Sequence, residues 1–452
     1  MSTRKFLNEI RDNIEEVARQ DNPVSQSLWN TFLNIHPADI ADFLSDLSTQ
    51  EFRMLFNALP KNIKLAVFEE LSEIQKVSAL TFMGDQERIA VFQELSSDEL
   101  TDLFDQLSDE ELKLYLNLLN QKSREEVLSL MQFDPESAGG IMTTDIFTLM
   151  PDFTVEKSIK ILQRLSPDKD IHQQIYIIAR NHFLEGHINL QDLVLQKPHD
   201  LISSFMRKNE LVVDAQEDRE VVAKKMVHYG VMTVPVIDRD NHFLGVITSE
   251  ALVDVIVEEA TEDVQKMASL APMKYPYFDS SLIRLFYERG PILIALLFAQ
   301  SFSSNILQAY EGTLSTFLLC LVPMLTSTGG NTSNQTSALV IQGLASGEIT
   351  PENAFRLIKR EVIMSLFLAF FLGLTAFTRV YFTGEASLII CLSVSCSIVC
   401  IVITSVFLGS CIPLILRRIN IDPAFSAGPF LATLMDILGV MIYCKVISLI
   451  LG

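Results

Sequence analysis

Residues 424–451, AFSAGPFLATLMDILGVMIYCKVISLIL, make an apolar run long enough to cross a bilayer as a helix, which takes about 20 residues. Asp436 sits near its middle. A carboxylate at that depth costs about 2.5–3.5 kcal/mol on insertion scales, so it needs water, a cation or a partner. The run supplies none of its own, because Lys445 lies nine residues on, near the end. A protonated Asp bonded between helices would meet the constraint. An anionic site in a polar pathway meets it and also accounts for what surrounds it.

A second apolar stretch, LVPMLTSTGGNTSNQTSALVIQG, carries Gly329, Gly330, Asn331, Asn334 and Gln335 in a run too polar to face lipid. Polar or unwound backbone at membrane depth is tolerated where it is buried or lines a watery cavity. Ser and Thr also close helix–helix contacts, which explains the small residues better than the Asn and Gln. In the last stretch Pro429 is expected to remove a helix hydrogen bond and free carbonyls one turn earlier. Gly428 and Ala432 lie eight and four positions before Asp436, on its face of a helix. Carbonyls, amide oxygens and one carboxylate form an all-oxygen lining, which suits hard cations such as Mg2+ or Ca2+. With one acid per chain, a symmetric dimer would supply two, and a hydrated Mg2+ between them is physically sensible.

Charge divides the chain. Residues 1–282 hold 26 of the 35 Lys+Arg and 48 of the 56 Asp+Glu, a net of −22, whereas residues 283–452 net +1. An acidic soluble part argues against nucleic acid as a partner and suits a cationic one. All six Cys fall in the apolar third without a C-x-x-C pair, so they form neither a disulfide framework nor a zinc site. No nucleophile with a base, metal-ligand cluster or phosphate loop suggests an enzyme, and His36, His172 and His228 are among seven scattered histidines.

Five apolar stretches, at about 291–309, 313–344, 361–380, 386–416 and 424–451, predict five membrane helices. Arg284 and Arg289 precede the first, Arg356, Lys359 and Arg360 follow the second, and Arg417 and Arg418 follow the fourth. The opposite loops hold only Glu311, Arg379 and Glu385. The positive-inside rule then puts the amino terminus in the cytosol and the carboxyl terminus outside. The amino end, MSTRKFLNEIRDNIEE, has no signal-peptide core, in agreement.

The soluble part opens with a helical repeat over residues 1–133. Ser-x-x-Glu/Gln capping boxes begin at Ser48, Ser72, Ser96, Ser108 and Ser123, with Leu, Phe and Ile at helical spacing between them. Short amphipathic helices stacked as a superhelix are expected. Asp98 and Asp102 share one helix face, with Asp105 near them. The pattern breaks at Asp134-Pro135-Glu136-Ser137-Ala138-Gly139-Gly140, after which two copies of a strand–helix–strand–strand–helix unit run over 134–200 and 201–258. An Asp- and Asn-rich turn, Asp238-Arg239-Asp240-Asn241, predicts a hairpin in the second copy. The duplication resembles a pair of cystathionine-β-synthase (CBS) domains, chiefly through VPVID…GVIT. Residues 259–283 then read as an amphipathic connecting helix, and five acids between Asp254 and Asp263 crowd its start. Residues 284–452 form the membrane domain.

In combination, GGN-x-x-x-Q, I-D-P-A…G-P…T-x-x-D, EEATED after a CBS pair and ESAG…MT before it resemble the MgtE magnesium channels, from about residue 30 to the end. The resemblance implies a multidomain membrane protein of the bacterial inner membrane. Its parts would be an α-helical superhelix, tandem α/β CBS domains, a connecting plug helix and a five-helix membrane domain, assembled as a homodimer. The pore on the dimer axis would place Asp436 centrally, with the Ala432 carbonyl, Gly428 and Asn331 near it, and Gly329, Gly330, Asn334, Gln335 and Pro429 lining it. The soluble domains would sense cytosolic Mg2+ through Asp218, Glu220, Glu250, Asp254, Glu259, Glu262 and Asp263, facing Asp98 and Asp102, and bridging ions would close the pore. Departures are Ser333 for the family's second glycine in GGN-x-G-x-Q, Gln342 for an Arg, Ala251 for an acid and Gly230 for a residue acidic in some relatives. Ala251 removes the acid that would hold a nucleotide ribose in the second CBS unit, leaving Asp192 of the first as the candidate for ATP. The rival reading is a CBS-regulated secondary transporter of another divalent cation or an anion, since broken helices suit that class too.

Overall fold

Eleven helices of six to ten residues, from Thr3–Asp12 to Gln121–Leu130, make up the first part of the chain. Helices below about 12–15 residues are marginal alone in water, so packing must hold them. Phe32, Leu55, Phe56, Phe68, Leu80, Leu103 and Phe104 are fully buried in their shared core. Reciprocal capping boxes close the starts at Ser48 with Glu51, Ser96 with Glu99 and Ser108 with Glu111. Two expected caps differ. Ser72 precedes its helix without a side-chain bond. The last helix starts at Gln121 rather than after Ser123, and the Asn120 side chain accepts the Ser123 N–H at 2.9 Å. Asn caps at least as well as Ser, so the earlier start wins. Gly84 caps a helix the pattern did not mark, its N–H donating to Glu87.

This computed structural model describes residues 3–165, 174–271, 277, 280–383 and 387–451, and it divides into two units, Met1–Val257 and Glu258–Gly452. Within the first unit two three-stranded sheets repeat one topology. β1 (Thr148–Leu149) pairs parallel with β2 (Gln174–Ile178), which pairs antiparallel with β3 (Leu184–Asn189). β4 (Val213–Asp214), β5 (Val234–Ile237) and β6 (Phe243–Ile247) repeat the pattern, with the expected turn between β5 and β6 and Asn241 at φ 64°. Tyr176 is wholly buried and donates to Thr233, tying β2 to the segment before β5, and burial pushes its phenol up to about 12.

The two copies exchange their leading segments. Residues 137–143 pair with the second copy, Thr143 bonding Val246 and Ala138 N–H bonding Glu217, and Ala138 and Met142 join its core. Arg207 bonds His187 of the first copy in return. Each close approach needs a strand glycine. A Cβ on Gly245 would lie 2.6 Å from the Thr143 carbonyl, and one on Gly186 would strike the Arg207 carbonyl.

The helix after β6 runs unbroken from Ser249 to Met267, so the expected join at 258/259 falls inside it. It stops about fifteen residues short of the expected end. Ser269 takes a left-handed φ of 56° and Leu270 N–H reaches back to the Gln265 carbonyl, a Schellman-type termination. Of the expected remainder, residues 272–276 and 278–279 lie outside the described residues, as do Glu385 and His172.

The second unit continues with five long helices: Leu282–Ala309, Val322–Ala345, Ala354–Tyr381, Leu388–Arg418 and Pro429–Leu451. The first, third, fourth and fifth are long and apolar enough to cross a membrane; the second is too polar to meet that measure. The fourth packs against the second, third and fifth, and the first runs along the fifth. Buried Ser393, Ser397, Ser405 and Ser410 of the fourth helix each donate to the carbonyl four residues earlier, which satisfies their hydroxyls without water.

Replacing Gly186 or Gly245 with Ala is expected to cost about 1–3 kcal/mol through overpacking. Each should lower the melting temperature of the full-length protein; Gly245→Ala should open residues 134–147 to protease and Gly186→Ala the segment around Arg207, and unchanged protection would show that the exchange does not hold the pair together.

Candidate functional site

Asp436 lies two turns into the fifth helix and is half-buried. Pro429 is that helix's first residue, a position whose N–H has no helical partner to lose. It therefore breaks no hydrogen bond within the helix, contrary to the expectation, and the helix ladder begins with the Gly428 carbonyl accepting the Ala432 N–H at 3.0 Å. The irregularity comes earlier, from a 3-10 turn at Pro423–Ser426 and a φ of +59° at Gly428. Ala432 and Asp436 stay one turn apart on one face.

The second helix meets this face at its glycines. A Cβ on Gly330 would sit 3.6 Å from the Ala432 Cα, and one on Gly329 would sit 3.0 Å from Ile401 and 3.4 Å from Met435. The helix is continuous there rather than unwound. Its polar run divides by face. Thr332, Ser333, Thr336 and Ser337 turn inward, with Ser333 donating to the Gly330 carbonyl and Ser337 reaching Ser426 at 3.5 Å. Asn331 and Gln335 are exposed, Asn331 reaching Ser327 at 3.5 Å. Asn334 Oδ1 is enclosed with no hydrogen-bond partner.

The partner of Asp436 is Gln300 of the first helix, whose Nε2–H donates to Oδ2 at 2.9 Å. Among the described residues the ion pairs do not include Asp436. Sequence reasoning passed over Gln300, although it is a side-chain amide within a span otherwise apolar enough for a membrane.

A second missed feature is Lys266, at the end of the helix Ser249–Met267. Its ammonium lies 2.8 Å from Glu262 and 2.7 Å from Asp422, and 5.8 Å from the Phe425 ring. One residue on, the Met267 carbonyl occupies the place a Gly428 side chain would fill. Helix end and fifth-helix start thus meet at a left-handed glycine and an ion pair. Burial opposes the charge on Lys266, but the bonds and charges of Asp422 and Glu262 outweigh it and hold the ammonium above the ordinary lysine range. A base four residues after Glu262, alone in an acidic run, was the available signal.

The candidate sensor acids are distributed over several elements. Asp98 and Asp102 lie on the helix Ser97–Asp105, whose start bonds residues 144–145 through Ser97. Asp98 Oδ1 is enclosed without a partner, and burial pushes its carboxyl up against the pull of bonds from Thr143 and Ser96. Asp254 is likewise raised by burial, opposed by the charge of nearby Lys76. Lys76 is itself buried and paired with Glu73 at 2.9 Å. Asp218 caps the helix Arg219–Tyr229 through the Val221 N–H, and Glu220 pairs with Lys224. Glu250 opens the helix Ser249–Met267, which also carries Glu259, Glu262 and Asp263. Among the described residues, the set of three ligand atoms within 4.8 Å of one another is Asp238, Asp240 and His242. Asp238 there already accepts two backbone N–H groups of its own turn, and none of the sensor candidates belongs to that set. Asp192 is buried, accepting the Asn189 N–H and Arg207 at 3.2 Å, so a ribose would compete with Arg207.

Three sequence profiles match the chain: a divalent cation transporter profile (MgtE) at residues 322–446, an MgtE intracellular N domain at 35–136 and a CBS domain at 202–258. The magnesium transporter MgtE of Thermus thermophilus is 32% identical over 337 residues, covering 74% of each chain. That of Bacillus subtilis is 30% identical over 331 residues, covering 73% of this chain and 72% of its own. A solved structure described as the soluble part of a magnesium transporter is 26% identical, covering 56% of this chain and 99% of its own, with a TM-score of 0.48.

The Lys266 contact gives a test. A lysine whose folded value is raised contributes fully below its ordinary pKa of about 10.4 and loses that contribution only as pH climbs through the raised value. The contact should therefore be unchanged from neutral pH to about pH 10. Lys266→Met or Gly428→Ala should loosen it, read as several-fold faster thiol labelling of a Met267→Cys variant; equal labelling rates would show that neither group holds the helix end.

Proposed function

The chain belongs to the MgtE family of magnesium transporters, and on that footing we propose that it is a homodimeric, Mg2+-selective channel for uptake across the bacterial inner membrane, closed by cytosolic Mg2+. The observation that carries this reading is that, among the described residues, Asp436 has no cationic partner in the chain. Its partner is a neutral amide, which returns part of the cost of a carboxylate among apolar helices. A divalent ion 4 Å away returns more, about 8 kcal/mol at an effective dielectric of 20. Mg2+ surrenders water reluctantly, so a carboxylate from each protomer would hold it through its hydration shell. The Gly330 approach brings the Asn331 turn of the second helix beside Ala432, and the Asn331 amide and Ala432 carbonyl are the oxygen ligands this reading assigns.

A channel suits these features better than alternating access. The second unit has one acid at mid-helix depth in its apolar spans, and no histidine lies beyond residue 242 to relay protons. Closure would act through the acidic soluble part. Its net −22 favours separated domains until divalent cations gather on acids such as Asp98 and Asp254. These acids are already disfavoured as anions by burial, and a cation relieves that cost. The helix Ser249–Met267 then carries the change to Asp422 and Gly428, on the cytosolic side in the orientation given by the arginines. The amino terminus lies in the cytosol and the carboxyl terminus outside in the same orientation.

Asp436→Asn should abolish Mg2+ uptake by a host that depends on this protein, with assembly unchanged; uptake at the wild-type rate would remove the pore assignment. Deleting residues 1–130 should leave currents that persist at cytosolic Mg2+ levels that close the full chain. Unaltered closure would refute the sensor, and the lack of any unitary current in patches carrying the intact protein would favour a secondary transporter.

A further inference from the structure

A side-chain amide in an apolar span must find a partner or forfeit stability. Gln300 finds one in Asp436, and the chemistry fixes which way round the amide sits. Turned over, its oxygen would face a carboxylate oxygen, so Nε2–H donates to Oδ2 at 2.9 Å. Around it the first helix presents Leu297, Phe298, Ser301 and Ser304 to a cavity of about 380 Å3. Ser301 donates to its own helix, at the Phe298 carbonyl. No charged side chain lines this cavity, so nothing there competes with Gln300 for the carboxylate.

We propose that Gln300 is a positioning and specificity-determining residue of the ion site. The inference rests on the reading of Asp436 as the central ion-binding group. One lone pair of Oδ2 is filled by the amide, which holds the carboxylate in one orientation and leaves Oδ1 to face the ion's water shell. Mg2+ keeps a near-ideal octahedral shell, whereas Ca2+ takes six to eight ligands in flexible geometry. A fixed acceptor selects for the regular, compact shell. A carboxylate free to swing accommodates both. Gln300 thus acts through Asp436, and its contribution is to discrimination more than to throughput.

The test is Mg2+ flux into proteoliposomes holding the full-length protein, with Ca2+ as competitor. Gln300→Leu removes the donor at similar volume. It should raise the half-saturating Mg2+ concentration and weaken discrimination against Ca2+, each about ten- to hundredfold, the range expected for losing a hydrogen bond to a charged group. Maximal flux should stay near wild type. Gln300→Lys should assemble normally yet block flux, because its ammonium would occupy the carboxylate in place of the ion. A Gln that serves only to pack the helices would instead reduce the yield of folded protein, with half-saturation and the Ca2+/Mg2+ ratio unchanged, and that result would overturn the proposal. Asp436→Asn run in parallel separates the two claims. If it conducts, the pore reading itself fails; if it does not, and Gln300→Leu is indistinguishable from wild type in both ratios, the role of Gln300 alone is refuted.

Discussion

A charge in an apolar helix bundle must be answered, and the way it is answered decides what the bundle is for. Had Asp436 met a lysine or arginine, the pair would have been a structural tie between helices. It meets an amide instead. An amide places the carboxylate without supplying a positive charge, and the function proposed above assigns that charge to the transported ion. The surrounding packing serves this end. Glycines bring the second helix against Ala432, the serines of the fourth helix satisfy themselves on their own backbone, and the second helix keeps Asn331 and Gln335 on an exposed face.

The soluble part meets the same problem with the opposite balance. Acids outnumber bases heavily there, yet buried or half-buried ammonium groups of the chain stand among them, Lys64 on Glu87 for one. Lys76 pairs with Glu73 near Asp254, and Lys266 joins Glu262 to Asp422. Asp98 differs from these paired acids: it is buried, its Oδ1 has no hydrogen-bond partner, and burial raises its carboxyl. The sensing proposed above would act through acids of that kind.

Periodicity and capping chemistry made the architecture legible before any coordinates. The three Ser–Glu boxes formed as expected because both halves of the motif are local. The expected cap at Ser123 gave way to Asn120 because two local caps competed and the longer helix won. The role assigned to Pro429 changed because the sequence does not reveal whether a proline lies within a helix or begins one. That Ala432 and Asp436 share a face of the fifth helix was readable from their spacing, whereas the contacts of Gln300 and Lys266 were not. Each matters through a partner more than a hundred residues away, a distance across which a single sequence carries no signal.

The exchanged leading segments tie the two CBS copies to each other. Each CBS sheet holds a strand segment from the other copy, so sliding one copy past the other would break the backbone pairs at Thr143–Val246 and His187–Arg207. The pair therefore resists internal rearrangement and responds as one body. What leaves it is the 19-residue helix Ser249–Met267, about 28 Å long at 1.5 Å per residue. Glu250 and Asp254 belong to its first half and Lys266 to its second, with no proline or glycine between them. Bending it would cost helix hydrogen bonds. At its end Lys266 meets Asp422 and the Met267 carbonyl lies against the left-handed Gly428.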